Sequence, residues 1–405
     1  MKAILKTLTV GLACSTMMLN AQTFTNYTTT DGLSHDNVTC LAADGNDDIW
    51  FGTQEGVSFF DGANWTVHTT TTDAGLVHNT ISAICVVANG DVWVGSDYGA
   101  AVYNGSAWTT YTTAEGLGDN RINHIAQDAS GNIWFGDYDG VTVFDGTSTW
   151  TSYTTADGLP FGGVVHSDFD ANGDKWFSTD LGGTVHYDGT TFTAYTTTDN
   201  LVANGVRSVF VDNQNNKWVG TSKGITVLDN ANQWAANHTM MLILPPPDTL
   251  NPVEDLAMDS QGHIWAGIYV DYLVTVGGIA MYNGTSWIDY DMTDGLVGPV
   301  VRKLIVDGQD NVWIATSTGV SKLSGATSIE EEAELVKVSL YPNPANSTVN
   351  VEANSKSPLT VFNLLGKVIY SDNQNNEITS IDVSSWNKGI YLVQVGNVTK
   401  KLIID

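Results

Sequence analysis

One tryptophan returns at a nearly constant interval through most of the chain. The seven copies lie 41 to 48 residues apart, at Trp50, Trp93, Trp134, Trp176, Trp218, Trp265 and Trp313. A period of this length, with four short strand-like segments in each unit, is typical of β-propeller blades. Helical periodicity is scarce, whereas Thr, Val, Trp, Tyr and Gly abound, so the sequence predicts an all-β fold.

The repeat that follows Leu117 shows the parts of one unit. "RINHIAQD", "IWFG", "VTVF" and "WTSYTT" are predicted strands, and "ASGN", "DYDG" and "DG" are the turns between them. Four short antiparallel strands of this kind make one propeller blade. The sequence therefore predicts a propeller of seven four-stranded blades over residues 22–325.

The first copy of a recurring word has no blade in front of it. Phe24-Thr25-Asn26-Tyr27 matches the fourth strand of the other repeats, and the seventh repeat stops at Gly325 without such a strand. We therefore expect residues 24–27 to pair with residues 320–323. That pairing closes the ring and removes the open sheet edges that a linear array would expose.

Residues that recur in every repeat are assigned to the scaffold. The recurring tryptophans are predicted to pack between blades, with exposed sugar stacking as the alternative. The Asp-x-x-Gly turns, such as the one from Asp170 to Asp174, are predicted to be simple turns, with calcium binding as the alternative. Cys40 and Cys85 are predicted to be small buried thiols that form no disulfide.

The repeat resembles the two-component regulator propeller repeat over roughly residues 23–325. In the third repeat the resemblance is carried by Asp128, Gly131, Ile133, Trp134, Gly136, Gly140, Val141 and Phe144. Propellers of that family are often extracellular sensor parts of membrane histidine kinases. Neither a membrane helix nor a kinase segment is recognised in this sequence, so the resemblance implies the fold and not the signalling role.

The composition changes after Gly325. Residues 326–335 form an acidic linker, and residues 336–405 alternate strands and turns, as in a small immunoglobulin-like β-sandwich. This segment resembles the type A sorting domain of the type IX secretion system of Bacteroidota. The motif residues are Tyr341, Pro342, Asn343, Pro344, Gly366, Lys367, Gly389, Tyr391, Lys400 and Lys401. The resemblance implies contact with the type IX machinery, passage through the outer membrane, and release or anchoring to surface polysaccharide; an ordinary adhesive sandwich is the alternative.

The start of the chain has the features of a signal peptide over residues 1–21. Lys2 and Lys6 precede an apolar run that is too short to span a membrane, and Ala21 offers a cleavage site before Gln22. The protein is therefore expected to pass through the periplasm and to be secreted or held at the outer cell surface. Its net charge of −28 argues against nucleic acid as a partner.

Two insertions set the sixth repeat apart from the others. The interval from Trp234 to Asp259 is 25 residues, and that from Trp265 to Tyr282 is 17, whereas most repeats have 20 and 10. Both insertions are expected on the face where the first strands start, together with five of the propeller's eight basic residues. The candidate ligand-binding residues are Tyr269, Asp271, Tyr272, Met240, Met241, Arg302, Lys303, Arg207, Lys223, His124 and His166.

Acidic side chains share this face, so a solvated rim without a ligand is the alternative to a binding site. These acids are Asp97, Asp137, Asp139, Asp180, Glu254 and Asp271. His124 and His166 have the same phase in adjacent repeats, and structural histidines are favoured over a metal pair because no carboxylate is spaced to complete a ligand set. We therefore expect neither a metal nor a cofactor.

The sequence contains no recognisable nucleophile motif, and its many aspartates prevent the assignment of an acid–base pair. No catalytic residue is therefore assigned. The sequence predicts a non-catalytic binding module for a glycan or a protein. The alternative is a polysaccharide-degrading enzyme, a lyase or a hydrolase, that uses the same face of the propeller.

Overall fold

The regular elements that the structure describes are thirty-five β-strands and two short 3₁₀ helices, Thr155–Asp157 and Thr197–Asp199. The structure is a computed structural model, and it describes residues 22–241, 251–269, 277–325, 338–353, 358–363, 367–373, 378–395 and 398–404. They fall into two compact units, one within Met1–Thr327 and one within Ser328–Asp405. The prediction of an all-β chain is confirmed.

The first unit opens with a single strand, β1 (Thr23–Tyr27), and continues with strands in groups of four. The groups are β2 (Val38–Ala43), β3 (Ile49–Thr53), β4 (Gly56–Phe60) and β5 (Trp65–His68); β6 (Ala83–Val86), β7 (Val92–Ser96), β8 (Gly99–Tyr103) and β9 (Trp108–Tyr111); β10 (Ile122–Gln127), β11 (Ile133–Asp137), β12 (Gly140–Phe144) and β13 (Trp150–Thr154); β14 (Val164–Phe169), β15 (Lys175–Thr179), β16 (Gly183–Tyr187) and β17 (Phe192–Tyr195); β18 (Val206–Val211), β19 (Lys217–Thr221), β20 (Gly224–Leu228) and β21 (Trp234–His238); β22 (Val253–Met258), β23 (Ile264–Tyr269), β24 (Gly277–Tyr282) and β25 (Trp287–Tyr290). The last group has three strands, β26 (Val301–Val306), β27 (Val312–Thr316) and β28 (Gly319–Ser324).

Each group of four forms one antiparallel sheet in chain order, and β1 supplies the fourth strand of the last sheet, in the order β1-β28-β27-β26. Phe24 pairs with Leu323, and Tyr27 pairs with Val320. The ring of Tyr27 stacks on the indole of Trp313, with 5.7 Å between their centroids. The expected pairing of residues 24–27 with residues 320–323 is therefore confirmed.

The first strands of the seven sheets lie side by side in a circular order. Each of β2, β6, β10, β14, β18 and β22 contacts the first strand of the following sheet, and β26 contacts β2. A hydrogen bond also joins the seventh sheet to the first. The backbone N–H of Gly308, in the hairpin between β26 and β27, donates to Asp47 Oδ1, in the hairpin between β2 and β3, at 2.8 Å. The space that the seven first strands enclose is called the channel below.

The recurring tryptophans lie between sheets and are at most 7% exposed. Trp218, for example, packs with Val253, Leu256 and Ile264 of the next sheet. Burial of a large aromatic ring at every sheet interface stabilises the ring of sheets and leaves no room for a sugar to stack on these residues. Their assignment to the scaffold is confirmed.

The Asp-x-x-Gly turns also serve the scaffold. Asp128 Oδ1 accepts backbone hydrogen bonds from Ser130 and Asn132, both at 2.9 Å, and its Oδ2 accepts the indole N–H of Trp134 at 2.9 Å. The equivalent indole bond recurs from Trp176, Trp218, Trp265 and Trp313. The turn aspartate therefore satisfies a buried donor of the core, which explains why the two residues recur together.

The second unit consists of two antiparallel sheets. Its strands are β29 (Val338–Tyr341), β30 (Thr348–Ala353), β31 (Pro358–Asn363), β32 (Val368–Asn373), β33 (Ile378–Asp382), β34 (Gly389–Val395) and β35 (Val398–Ile404). One sheet has the order β29-β30-β33, and the other has the order β32-β31-β34-β35. Buried side chains from both sheets, among them Val349, Val361 and Val393, form one apolar core.

Candidate functional site

A β-bulge at the start of the first strand shapes the channel. The pairing register between first and second strands shifts at the same place in six of the seven sheets, for example between Ile122 and His124 and between Val301 and Lys303. A bulge adds one residue to a strand and re-aims the side chains beside it. Two consecutive side chains of one strand, such as Arg302 and Lys303, therefore line the cavities of the channel.

The inner cavity has a volume of about 340 Å³ and is lined by residues of all seven first strands. The rings of His124 and His166 face each other there, with 4.2 Å between their centroids. His166 Nε2 lies 3.5 Å from Asp255 Oδ1, which also accepts a hydrogen bond from Lys303 Nζ at 3.1 Å. Asp255 Oδ2 accepts the backbone N–H of Leu304 at 2.9 Å. The cavity thus brings two imidazoles to a buried carboxylate–ammonium pair.

Burial controls the charge of this cluster. It lowers the pKa of His124 to about 3, with help from the nearby Lys303 ammonium, and it lowers the pKa of His166 well below the usual value for the same two reasons. Burial raises the pKa of Asp255, against the opposing effect of Lys303. Burial also raises the pKa of the Cys40 thiol, which lines the same cavity, to about 12. At neutral pH both imidazoles are therefore uncharged, and the thiol is protonated.

The outer cavity, at the mouth of the channel, has a volume of about 360 Å³ and includes Tyr269 and Arg302 in its wall. Ser82 lines both cavities, so they adjoin. Arg302 Nε donates to Asn37 Oδ1 at 3.1 Å, which joins the seventh sheet to the first. Glu254, also in the wall, forms an ion pair with Arg207. Cationic and aromatic groups therefore meet at the mouth.

The structure brings together most of the described residues that the sequence singled out. His124, His166 and Lys303 line the inner cavity, Tyr269 and Arg302 line the outer one, and Arg207 adjoins it through Glu254. Lys223 is exposed on the hairpin between β19 and β20 and lines neither cavity. Asp271 and Tyr272 lie outside the described residues.

The two methionines of the first insertion differ in exposure. Met240 is 61% exposed, as a ligand-contacting residue would be. Met241 is only 4% exposed and packs in the core with Trp218, Ile225 and Val253. The prediction that Met241 offers a surface for a ligand is wrong, because the sheets bury it.

Sequence reasoning missed Asp255 and Cys40 as residues of the channel. Each stands two positions after a buried valine at the start of a first strand, as His124 and His166 stand two positions after Ile122 and Val164. Comparison of that position through all seven repeats is the signal that could have found them.

One group of side chains has the spacing of a metal site. One ligand atom from each of Asp170, Asp174 and His186 lies within 4.8 Å of the others. His186 Nε2 is 2.8 Å from Asp174 Oδ2, and the buried ammonium of Lys217 is 3.5 Å from Asp170 Oδ2. Because these oxygens already face a proton donor or a cation, the group is a polar contact between neighbouring sheets, and we propose no metal site there.

Asp137 occupies a position at which five of the other six sheets use a hydroxyl. Thr53, Thr179, Thr221 and Thr316 each donate to the glycine carbonyl that opens the next strand. Asp137 is 1% exposed, and burial raises the pKa of its carboxyl group to about 6 from its ordinary value of 3.8. A carboxyl group with a raised pKa stabilises the fold below about pH 4, and that contribution is lost as the pH rises through 6.

We expect Asp137→Thr to stabilise the protein at pH 8 and to change little at pH 4. The pKa shift corresponds to about 2–3 kcal/mol in the free energy of unfolding. Urea denaturation of both proteins at the two pH values measures the difference. An equal effect at pH 4 and pH 8 would show that the carboxyl group does not titrate as described.

Two of the sorting-motif residues, Asn343 and Tyr391, form side-chain hydrogen bonds to backbone groups of the second unit. Asn343 Nδ2 donates to the carbonyl of Lys401 at 2.8 Å, and Asn343 Oδ1 accepts the backbone N–H of Ile403 at 2.9 Å. The hydroxyl of Tyr391 donates to the carbonyl of Asn387 at 2.8 Å. Tyr341, Lys400 and Lys401 are exposed. Gly366 lies outside the described residues.

Models of known protein families match parts of both units. The model described as "two component regulator propeller" matches residues 32–55, 75–98 and 116–139. The model described as "secretion system C-terminal sorting domain" matches residues 339–405. The chain therefore carries propeller repeats of the first kind and ends in a sorting domain, and the sorting domain implies a secreted or cell-surface protein. No curated protein matches the chain.

Several solved structures share the fold. One is the extracellular domain of the putative hybrid two component system BT3049 from B. thetaiotaomicron (17% identity, TM-score 0.66, 94% of this chain and 57% of that one). Another is PorZ, a bacterial surface component of the type-IX secretion system of Porphyromonas gingivalis (16% identity, TM-score 0.58, 92% and 60%). A third is a catalytically inactive variant of virginiamycin B lyase from Staphylococcus aureus (12% identity, TM-score 0.59, 75% and 99%).

These similarities show the fold of the chain. The chain spans 57% and 60% of the lengths of the first two proteins. Among the described residues, no helix is long and apolar enough to span a membrane.

Proposed function

We propose that the chain is a secreted or cell-surface binding protein whose propeller holds an anionic ligand at the mouth of the channel. Residues 22–325 are the closed seven-bladed propeller, and residues 336–405 are an immunoglobulin-like sandwich that the type IX machinery recognises. Residues 1–21 serve as the signal peptide, and residues 326–335 serve as the linker. The sorting-domain match and the circular order of the first strands support this assignment.

The composition of the two adjoining cavities is the observation that carries the proposal. Residues 22–330 contain thirty-six acidic and only eight basic residues. Three of the eight, Arg207, Arg302 and Lys303, line these cavities or adjoin them through Glu254. Arg207 is paired with Glu254, and Lys303 is paired with Asp255. Arg302 instead contacts the neutral amide of Asn37, and it has the planar donor geometry that binds carboxylate or sulfate groups, which favours an anionic ligand.

The size and wall of the mouth favour a chain-like ligand. Tyr269 adds a ring on which a sugar can stack, and the outer cavity of about 360 Å³ has room for a short part of a chain. The insertions of the sixth repeat, with Met240, Asp271 and Tyr272, are proposed to extend the site. We favour an anionic glycan, and an extended acidic peptide is the alternative that the binding experiment distinguishes.

The protonation states of the inner cavity favour binding over catalysis. General acid–base catalysis works best when the pKa of the group lies near the operating pH. The pKa of His124 is about 3, that of His166 is also far below neutrality, and the Cys40 thiol is protonated at pH 7. These three groups are therefore poorly suited to proton transfer at pH 7, which favours binding over the alternative function, a lyase or hydrolase on the same face.

We expect Arg302→Gln to weaken binding of the anionic ligand about tenfold or more, which corresponds to about 1.4 kcal/mol. The measurement is the affinity of the mature protein for immobilised alginate, pectin, heparin and poly-glutamate. Lys175→Gln is the matched control, because Lys175 lies beside the hairpin between a first and a second strand, at the other end of the sheet. Equal losses in both variants would mean that net charge alone is responsible, and an unchanged affinity in Arg302→Gln would place the site elsewhere.

A further inference from the structure

Three neighbouring blades expose large apolar side chains at the tips of equivalent hairpins. Tyr98 lies between β7 and β8, Tyr138 between β11 and β12, and Leu181 between β15 and β16, with exposed fractions of 59%, 58% and 69%. The start of each first strand pairs with the end of its second strand, as Ile122 does with Asp137. These hairpins therefore lie at the same end of their sheets as the channel mouth. We call Tyr98, Tyr138 and Leu181 the aromatic arc.

The two tyrosine rings of the aromatic arc are held from one side. The imidazole of His78 stacks on Tyr98, with 4.4 Å between centroids and 28° between planes. The guanidinium of Arg121 lies 3.7 Å from the centroid of the Tyr138 ring. Arg121 is itself fixed by two hydrogen bonds to Asp119, at 3.0 and 2.7 Å. Each ring is therefore oriented before any ligand arrives and keeps most of its surface open, which lowers the entropy lost on binding.

The charge around the aromatic arc differs from that at the channel mouth. Each hairpin carries an exposed carboxylate beside its apolar residue, namely Asp97, Asp139 and Asp180. The cation that approaches the arc, Arg121, is already paired with Asp119. Carboxylates repel a polyanion but accept hydrogen bonds from hydroxyl groups. The arc therefore suits a ligand with apolar faces and many hydroxyl groups but no negative charge.

We propose that the aromatic arc binds a neutral polysaccharide chain, laid across the second to fourth blades. The apolar faces of its sugar rings stack on Tyr98 and Tyr138, Leu181 contacts a further sugar, and the flanking aspartates accept bonds from the hydroxyl groups. This site goes beyond the anionic site at the channel mouth, because it uses other side chains and favours a neutral ligand. The binding experiments on the two sites can therefore give independent results.

Affinity electrophoresis tests the proposal. The mature protein is run in native gels that contain starch, mannan, xylan or laminarin, with alginate and heparin as charged comparisons. At least one neutral polysaccharide should retard the protein, and Tyr98→Ala and Tyr138→Ala should each weaken that retardation about tenfold, because each removes one aromatic contact residue. The double variant should abolish it, while retention by alginate or heparin should stay unchanged.

Two kinds of control separate stacking from general damage. Tyr98→Phe and Tyr138→Phe keep the ring faces and should bind as the original protein does. Trp234→Ala removes a ring that is 49% exposed outside the arc and should also bind normally. The proposal is overturned if none of the neutral polysaccharides retards the protein, if the alanine variants bind as before, or if their loss concerns only the charged polymers.

Discussion

A chain that ends at Glu334 should fold normally but remain in the periplasm. We expect the sorting domain to direct export and to be dispensable for the fold of the propeller, because each unit has its own apolar core. The core of the second unit is built from its own residues, between Ala345 and Ile404. The seven clusters of the first unit are likewise built from residues between Phe24 and Leu323. Fractionation of a host with a type IX secretion system, followed by immunoblotting, measures where each protein is found.

The reciprocal experiment makes the test sharper. Residues 336–405, joined to the end of an unrelated periplasmic reporter, should carry that reporter to the surface or the medium. Thermal unfolding of the shortened chain, compared with that of the full chain, excludes misfolding as the reason for retention. Normal amounts of the shortened protein at the surface would contradict the role of this domain in export.

Deletion of residues 22–30 should destabilise the propeller by about 3–5 kcal/mol, the range that is typical when a large aromatic side chain is removed from a core. The deletion removes β1, exposes the edge of β28, and takes Tyr27 from its contacts with Phe60, Trp65 and Trp313. It also removes the hydrogen bonds from Asn26 to Gly295 and from Ser321 to Asn26. Urea unfolding, followed by tryptophan fluorescence, measures the change.

Single substitutions identify which part of β1 matters. Tyr27→Ala should account for most of the loss, and Tyr27→Phe should cost less than about 1.5 kcal/mol, because the ring remains and only the hydroxyl is removed. Thr25→Ala is the matched control, since Thr25 is an exposed residue of the same strand. If the deleted protein were as stable as the original, β1 would not be the strand that completes the last sheet.

Most of the fold could be predicted from the sequence, because the residues that recur in the repeats identify the scaffold. The indole bond between Asp128 and Trp134 has equivalents in four other sheets, so one packing arrangement is used in five of the seven sheets. The position of β1 followed from counting strands, since the seventh repeat lacks the fourth strand that Phe24 and Tyr27 provide. Repetition separates scaffold positions from variable ones without any alignment to other proteins.

The candidate site was predicted less completely, for a physical reason. A bulge changes the alternation of side chains along a strand, so spacing alone does not tell which of two adjacent residues enters the channel. His124 and Lys303 were predicted from their residue type and their position in the repeat. The role of Asp255 in the channel follows only from the structure, in which its Oδ1 lies 3.1 Å from Lys303 Nζ. The exposure of Met241 was predicted wrongly because this residue belongs to an insertion of the sixth repeat, whereas its side chain packs against core residues.

The distinction between binding and catalysis at the channel mouth is the central claim. The most direct measurement is to incubate the mature protein with a charged polysaccharide that it retains and to assay the polymer for new reducing ends and for unsaturated sugars. We expect retention without either product, and weaker retention by Arg302→Gln. Release of new chain ends by the original protein but not by a His124→Ala variant would contradict the account and identify the protein as a polysaccharide-degrading enzyme.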